Sequence, residues 1–517
     1  MKIENNYSLI VIGAGITGLS SAIAFAKNSK NIKTPVLVLE QHSIVGGMVT
    51  SYKREGFLFD TAQLIPDPED LFEYLNIDLP IKKFQNYFAR IFLVRSEHTT
   101  EIKIPCGMDN FKEMLIERYP DEKVALTDFF AYSKAIFDEL YYLKVEPSLV
   151  DLIKILIRCP KTVKNSKKTF KEYVKRFQFQ QKELEEIFDV FAAFSGLPAE
   201  RSVAMMTVAA MNTSLNACYR PEKGFIHLPL ALKKRAEELG CEVRTNTKVA
   251  KILVENNMAK GVELESGEKI FAEYIITTTD TKVSMEKLVG MQVLEKANPK
   301  YAAKVNEVKM SASAITIALG LDDTIDLNEF GLDCGYNVIT TGKNTFERLF
   351  IAYDNNEYIL DDKNFHCAVI CPSLTTGGKP TLIIRVVPVP MGKWKEWREN
   401  DYQKYKEEKE RVAYFYIDQV EKYLIPDLKN HIVFMDISSP ATYERFIGTP
   451  TGSNYDMAPY PDNFGLKRLK MRTPIKNLYL PKFSHGIWPS MQAGLQAADM
   501  ILGGKIMNGY SRYRKDF

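Results

Sequence analysis

The chain has 517 residues, 45% of them hydrophobic and 26% charged, and its formal net charge is only +3. This composition indicates a globular protein with a sizeable core, and it argues against extended disorder and against wholesale nucleic-acid binding. We expect no secretory leader and no membrane-spanning helix, because no n-region and h-region precede the first strand and no run of eighteen apolar residues occurs. The seven cysteines are scattered, which favours reduced, buried thiols over disulfides or a metal site. A cytoplasmic protein is therefore expected.

The first informative stretch is a glycine-rich turn near the N-terminus. Residues 9–12 are apolar and predict a buried parallel strand that runs into Gly13-x-Gly15-x-x-Gly18. In such a strand–turn–helix unit, the glycines permit the tight turn, the approach of a pyrophosphate and the packing of the helix on the strand. The N-terminus of that helix would face phosphate. The predicted dinucleotide-binding residues here are Gly13, Ala14, Gly15, Ile16, Thr17 and Gly18.

A second apolar strand, Val36–Leu39, ends at Glu40, which is followed by Gln41. An acidic side chain at this point can accept hydrogen bonds from both ribose hydroxyls of an adenosine. The negative charge of Glu40 argues against a 2′-phosphate and hence against NADP. FAD and NAD both remain open on this unit alone.

The motifs just beyond separate those two cofactors. Gly46-Gly47 is followed by residues 56–61, Gly-Phe-Leu-Phe-Asp-Thr, with Ala62 next. In these motifs the chain resembles the flavoprotein superfamily of phytoene desaturases, carotenoid isomerases and retinol saturases, which usually has glycine where Ala62 stands. The resemblance implies FAD as cofactor, with Gly46, Gly47 and Met48 at its site. Amine oxidases of the wider superfamily carry arginine at the position of Met48, so this residue favours the isomerase and saturase branches.

A helical block comes next, and its apolar residues recur at three- and four-residue spacing, which we interpret as a core stripe. The stripe consists of Leu126, Phe129, Phe130, Phe137, Leu140 and Tyr141. An aliphatic run at 149–157 then leads into eight basic residues between Arg158 and Arg176, with Glu172 the only acid in that span. An apolar helix beside a basic cluster is typical of a helix lying on an anionic bilayer surface. A merely solvated charged face is the equally weighted alternative.

The chain then returns to the first domain. Residues 227–239 predict a helix that Gly240 ends, followed by strands. The family resemblance implies that the backbone of Val249 meets the adenine edge and that Thr279 and Asp280 belong to the cofactor site. For residues 281–440 it implies a sheet that roofs the substrate channel, although plain core would have the same composition.

The last motif is Thr-Pro-Ile-Lys-Asn-Leu-Tyr-Leu at 473–480, which matches a strand of the same family. The family then continues with glycine and an acidic residue that contact the flavin, whereas residues 481–484 are Pro-Lys-Phe-Ser. The following segment, with Met491 and Gln492, fits a terminal helix whose N-terminal amides face the flavin and stabilise negative charge on it. His485, in the turn before that helix, is a candidate proton donor to substrate or reduced flavin, with simple packing as the alternative.

These observations predict an α/β fold in which a discontinuous FAD-binding Rossmann-type domain is interrupted by a mixed α+β substrate domain. The expected boundaries are 1–65, 219–280 and 440–517 for the FAD domain, and 66–218 and 281–439 for the substrate domain, with a helical, membrane-facing subdomain at 109–200. The resemblance implies an FAD-dependent oxidoreductase or isomerase acting by hydride transfer on carbon–carbon double bonds of an apolar, carotenoid- or retinoid-like isoprenoid. The alternatives are an amine oxidase-like enzyme and a nucleotide-stabilised lipid-binding module without turnover.

Overall fold

The computed structural model describes residues 7–29, 35–96, 98–143, 146–342, 344–482, 486–504 and 506. The strands are β1 Tyr7–Ile12, β2 Val36–Leu39, β3 Ser51–Arg54, β4 Phe57–Asp60, β5 Ile65–Pro66, β6 Ile81–Lys83, β7 Tyr87–Val94, β8 Thr99–Pro105, β9 Cys218–Pro221, β10 Glu242–Arg244, β11 Val249–Glu255, β12 Met258–Leu264, β13 Lys269–Thr277, β14 Ser313–Leu321, β15 Tyr336–Thr340, β16 His366–Ile370, β17 Thr381–Val389, β18 Ile432–Ser438 and β19 Leu478–Tyr479. The helices are α1 Ile16–Asn28, α2 Glu69–Leu75, α3 Met108–Arg118, α4 Lys123–Leu140, α5 Leu149–Arg158, α6 Pro160–Asn165, α7 Phe170–Lys175, α8 Lys182–Phe194, α9 Ala204–Asn216, α10 His227–Glu238, α11 Met291–Ala297, α12 Pro299–Glu307, α13 Thr345–Asp354, α14 Ser373–Thr376, α15 Trp394–Asn400, α16 Tyr402–Tyr423, α17 Pro440–Ile447 and α18 Ile487–Ile501.

The first sheet has the strand order β10-β2-β1-β13-β12-β11, and β19 also pairs with β13. Strands β10, β2, β1, β13 and β19 run parallel, with Val11 of β1 opposite both Val38 of β2 and Ile276 of β13. Strands β1 and β2 are buried along their whole length, as parallel strands covered by helices on both faces must be. Three distant parts of the chain thus build one Rossmann-type sheet.

Helices α1 and α18 cover one face of this sheet and touch each other closely. A Cβ atom on Gly494 of α18 would lie 2.4 Å from the carbonyl oxygen of Thr17 in α1, so only glycine permits this crossing. The contact brings α18, the last helix of the described residues, beside α1, which places the N-terminus of α18 near the glycine-rich turn.

The second sheet has the order β18-β14-β17-β16-β15-β7-β8. One face packs on α16 through a core that includes Ile384 and Tyr416. The opposite face meets the β3–β4 hairpin, where Phe57 and Phe59 pack against Ile383. This sheet therefore faces the first domain across the hairpin.

The helical block has its own core, in which Phe129 and Phe188 lie with ring centroids 4.3 Å apart. The predicted core stripe on α4 is correct for Leu126, Phe129 and Phe130, which are buried. It is wrong for Phe137 and Tyr141, which line a cavity instead, whereas Leu140 lines the cavity and also packs against this core. The same apolar spacing in sequence occurs in helices that pack against other side chains and in helices that line a cavity, so the sequence does not distinguish the two. Within the described ranges, no helix has the length and apolar character needed to cross a bilayer.

Candidate functional site: a dinucleotide cleft joined to an apolar cavity

The glycine-rich turn lies between β1 and α1 and is closely packed on one side only. A Cβ on Gly13 (φ +99°) would lie 2.7 Å from the hydroxyl of Thr278, and a Cβ on Gly18 would lie 2.0 Å from the carbonyl oxygen of Gly13. At Gly15, by contrast, the nearest atom is the carbonyl oxygen of Gly46, 3.9 Å away. The outer glycines are thus required by the protein itself, whereas the middle one leaves open space that a pyrophosphate can approach.

Glu40 lies at the end of β2 with its carboxylate directed at this turn. Its Oε2 accepts a hydrogen bond from the backbone N–H of Ala14 at 2.9 Å, and its Oε1 accepts one from the N–H of His42 at 2.9 Å. The backbone N–H of Thr247 bonds to the Glu40 carbonyl at 2.7 Å, which holds the 246–249 segment beside it. An ionised carboxylate has about four acceptor positions, so Glu40 retains capacity for ribose hydroxyls.

The Gly46-Gly47 loop lies directly on the glycine-rich turn. The N–H of Gly46 bonds to the carbonyl of Ala14 at 2.9 Å, and the Thr61 hydroxyl bonds to the carbonyl of Met48 at 2.9 Å. Gly46 has φ +123°, and a Cβ there would lie 2.6 Å from the carbonyl oxygen of Val49. The loop and the turn together form one wall of the cleft.

The cleft opens into a cavity of about 1310 Å³. Most of the predicted cofactor residues line it, namely Gly13, Gly15, Ile16, Thr17, Glu40, Gln41, Gly46, Gly47, Met48, Val249, Thr279, Asp280 and Gln492. Ala14, Gly18 and Met491 do not line the cavity. Ala14 and Gly18 make the backbone contacts described above, and the Met491 side chain is buried in the core. Gly486 and Ile487, where α18 begins, also line the cavity. His485 lies outside the described residues, together with Phe483 and Ser484.

The same cavity continues between the helices of the helical block. Its walls there are apolar or weakly polar and come from α4, α5, α6 and α9: Phe137, Leu140, Leu152, Ile155, Leu156, Val163, Met205, Met206, Ala209, Ala210 and Thr213. Ordinary small-molecule pockets measure about 300–1,000 Å³. The volume of this cavity suits a dinucleotide and a second, apolar molecule together.

The carboxylates of Asp280 and Asp456 line the cavity, although neither belongs to the segment after β19 in which the family has an acidic residue. Lys482 stands in the segment where the family has glycine and an acid, and its Nζ lies 3.5 Å from Oδ2 of Asp456. Asp456 also accepts a hydrogen bond from the N–H of Thr281 at 2.9 Å. Burial, and next the charge of Asp456, raise the pKa of Asp280 to about 6. The described residues directly after β19 thus include no acid, and the carboxylates of Asp280 and Asp456 line the cavity nearby.

We predict that Asp280→Asn stabilises the protein without cofactor at pH 7.5. Because the pKa of Asp280 in the folded state lies above its ordinary value of 3.8, its contribution to stability is fully present below about pH 4 and is lost as the pH rises through about 6. The free energy of unfolding should therefore rise by about 1–3 kcal/mol at pH 7.5, and the gain should shrink as the pH falls from 6 to 4. Urea unfolding at several pH values measures this, and an equal effect at pH 4.5 and 7.5 would contradict it.

Sequence reasoning missed two groups that line the cavity. Asp456 belongs to a loop whose sequence motif did not indicate a role for an acidic residue, and only the fold places it near Asp280. Arg385 lies in β17 and is only 9% exposed. An arginine inside an otherwise apolar strand, Thr381–Val389, was the signal that could have identified it.

Comparison with known proteins agrees with this geometry. The model of the family described as flavin containing amine oxidoreductase matches residues 16–397. The chain is 24% identical over 515 residues to the all-trans-retinol 13,14-reductase of Danio rerio, covering 93% of this chain and 82% of that protein. It is 25% identical over 503 residues to the chloroplastic prolycopene isomerase of Daucus carota, covering 92% and 76% respectively. The crystal structure of an oxidoreductase from Methanosarcina mazei matches with a TM-score of 0.59 at 16% identity, over 96% of this chain and 100% of that one. The α/β fold class and the resemblance predicted from the motifs are both confirmed.

Proposed function

We infer the function from a single premise: the chain belongs to the flavin-containing amine oxidoreductase family. It is an FAD-dependent oxidoreductase, and its substrate is an isoprenoid polyene whose carbon–carbon double bonds it reduces, forms or isomerises. The observation that carries this proposal is the continuous cavity, which joins the glycine-rich cleft to an apolar space between helices. Such a space accepts a long hydrocarbon chain and positions it against a cofactor in the cleft.

The residues of the cleft fit FAD. The turn at Gly15 and the N-terminus of α1 would bind the pyrophosphate, Glu40 would accept hydrogen bonds from the adenosine ribose, and the backbone of Val249 would meet the adenine. The N-terminus of α18 would stabilise negative charge on the ring system. Bound FAD supplies a two-electron acceptor or donor of hydride at this place. The role of His485 in delivering a proton stays a prediction.

The apolar part of the cavity would contribute to catalysis by orienting the substrate and by excluding water. Phe137, Leu140 and Ile155 offer no acid, base or nucleophile to a substrate, so they can only hold a hydrocarbon chain in place. Holding two reactants in a reactive arrangement accounts for about 7–11 kcal/mol in favourable cases. An enzyme of this kind therefore needs few catalytic side chains.

The visible spectrum of the purified protein tests the premise about cofactor. We expect flavin absorbance near one FAD per chain, released by denaturation as FAD rather than FMN. Colourless protein that does not take up added FAD would contradict the enzymatic function and would favour the lipid-binding alternative.

An amine oxidase-like function is the second candidate within the family, and two observations disfavour it. Met48 lies in the cleft at the position where amine oxidases carry arginine. Arg385 places a buried positive charge on one part of the cavity wall, and this charge repels a protonated amine that binds beside it. A polyene suffers no such repulsion.

We also propose that α5 lies on an anionic membrane surface. One side of α5 lines the cavity through Leu152 and Ile155. The other side is exposed and apolar, with Leu149 81%, Ile153 59% and Ile157 74% exposed. Such a helix can dock on a bilayer while covering the cavity, so that a membrane-dissolved substrate has a short path to the site.

The basic residues beside α5 support this orientation, although not all of them remain available. Lys171 forms an ion pair with Glu200, and the guanidinium of Arg176 lies 3.9 Å from the ring centroid of Tyr132. Lys164, Lys167 and Lys175 are exposed. Each basic residue near an anionic surface contributes about 1 kcal/mol, and salt screens this attraction.

We predict that replacing Leu149, Val150, Ile153 and Ile157 with serine lowers the fraction of protein sedimenting with anionic liposomes. The loss should exceed about tenfold in partition coefficient, since even partial burial of each side chain contributes on the order of 1 kcal/mol. Replacing Lys164, Lys167, Lys168 and Lys175 with glutamine should weaken binding mainly at low salt.

The matched control replaces Ile351 and Val433, which are 51% and 60% exposed on other elements. These two serine substitutions should leave liposome binding unchanged. Equal sedimentation of the wild type and the α5 variant would show that the apolar side of α5 has no membrane role.

A further inference from the structure

The most unusual group in the cavity is the guanidinium of Arg385, near the middle of β17. In the register of the second sheet, Arg385 lies opposite Thr316 of β14 and Ala368 of β16. It shares a face with Ile383, which packs on Phe57 and Phe59. Arg385 is therefore on the face that looks toward the FAD-binding domain, and it lines the cavity.

Two other buried arginines, Arg90 and Arg220, donate hydrogen bonds to protein groups. Arg90 donates to Glu101 at 2.8 Å and to the carbonyl of Gly331 at 2.9 Å. Arg220 donates to the backbone carbonyls of Gln63 and Cys371 at 3.2 and 3.3 Å. Neither of these arginines lines the cavity. Buried charges in proteins are ordinarily paired, and Arg90 follows this rule through Glu101, whereas Arg220 bonds to carbonyls and leaves its Nη2 without a hydrogen-bond partner in the described chain.

Arg385 has no carboxylate partner among the residues that the structure describes, and its neighbours are tyrosines. Burial opposes its charged form, and the groups that favour this form are the hydroxyls of Tyr443, Tyr455 and Tyr336, of which Tyr443 hydrogen-bonds to the guanidinium. The hydroxyl of Tyr443 also hydrogen-bonds to Thr316 at 2.6 Å, and that of Tyr336 donates to Gln63 at 3.1 Å. The surroundings of Arg385 are therefore neutral, and its positive charge is left for a ligand to compensate.

The cavity wall next to Arg385 is aromatic. The rings of Tyr336 and Phe194 stack with centroids 4.7 Å apart, and Phe88 meets Phe194 edge-on at 5.4 Å. All three side chains line the cavity. A fixed cation beside flat apolar walls suits a ligand that is a conjugated chain with an anionic end.

We propose that the substrate of this enzyme is a polyene that carries a carboxylate, and that Arg385 binds this carboxylate. This inference rests on the proposed function and narrows it from isoprenoid polyenes in general to polyene acids. The carboxylate neutralises the buried guanidinium and fixes the position of the chain in the cavity. Arg385 is thus a specificity-determining residue that contacts the carboxylate end of the substrate.

The test compares a polyene acid with its uncharged ester, using all-trans-retinoic acid and methyl retinoate at pH 8. Binding to the FAD-loaded protein is followed by the perturbation of flavin absorbance. We expect the wild type to bind the acid about 10- to 100-fold more tightly than the ester. Arg385→Gln should abolish this difference by weakening acid binding alone, and Arg385→Lys should keep part of it.

The flavin content of each variant, measured with its ligand affinities, distinguishes failure of this inference from failure of the proposed function. Equal affinity of the wild type for acid and ester would overturn the inference while leaving the proposed function intact. Loss of FAD from both Arg385 variants, with folding intact by circular dichroism, would overturn it as well, because Arg385 would then belong to the cofactor site. Absence of binding of either compound to the FAD-loaded wild type would overturn the inference and would count against the proposed function too.

Discussion

Replacing Glu40 with alanine should weaken FAD binding by about 1.5–3 kcal/mol, which is roughly 10- to 150-fold in dissociation constant. The substitution removes a carboxylate that would accept hydrogen bonds from the adenosine ribose. It also removes the acceptor of the Ala14 N–H, so the glycine-rich turn loses support at the same time. Titration of the cofactor-free protein with FAD, followed by quenching of flavin fluorescence, measures the change.

Glu265 provides the matched control, since it also lines the cavity but forms an ion pair with Lys248 at 2.5 Å. Glu265→Ala should leave FAD affinity within about 0.5 kcal/mol of the wild type, because exposed ion pairs contribute little. Glu40→Gln keeps one acceptor oxygen and should fall between the wild type and the alanine variant. Undiminished FAD retention in Glu40→Ala would show that this residue merely ends a strand.

The second large effect is expected from blocking the apolar part of the cavity. Ala209 on α9 lines this part, and a phenylalanine there would occupy the space that a hydrocarbon chain needs. Forcing additional atoms into filled space costs about 1–3 kcal/mol or more, so we expect polyene turnover to fall at least tenfold in kcat/KM. FAD content should not change, because Ala209 lies on the helical block and not in the glycine-rich cleft.

Asn216, exposed at the end of the same helix, offers the corresponding control. Asn216→Phe adds a phenylalanine to α9 outside the cavity and should leave both turnover and FAD content unchanged. Normal polyene turnover by Ala209→Phe would mean that the substrate does not enter between the helices, and the proposed path from cofactor to membrane would be wrong.

The glycine-rich cleft was predictable because its signals are local in sequence. The strand, glycine-rich turn, helix and second strand that end at Glu40 form one continuous stretch, and helix α10 has the extent expected to within one residue. Each of these features depends on backbone conformation and short-range packing. Sequence patterns record such features directly.

The chemistry of the substrate cavity was not predictable because its groups come from distant segments. Arg385 meets Tyr336, Tyr443 and Tyr455, which only the register of the second sheet, helix α17 and the loop after it bring together. The two faces of α5 posed a different difficulty, since apolar residues on both sides of a short helix do not reveal which side meets the cavity. The neighbours of Arg385 follow from strand register, and the cavity-facing side of α5 follows from burial. Both are properties of the whole fold.

We expect FAD in this cavity to react with carbon–carbon double bonds. The most direct measurement mixes the FAD-loaded protein, in its oxidised and in its photoreduced form, with a polyene such as all-trans-retinoic acid under anaerobic conditions. The expected result is a product with a changed number or geometry of double bonds, accompanied by a matching change in flavin absorbance when the number changes. Unaltered polyenes with both forms of the flavin, together with bleaching of the oxidised flavin by a primary amine such as putrescine, would contradict it.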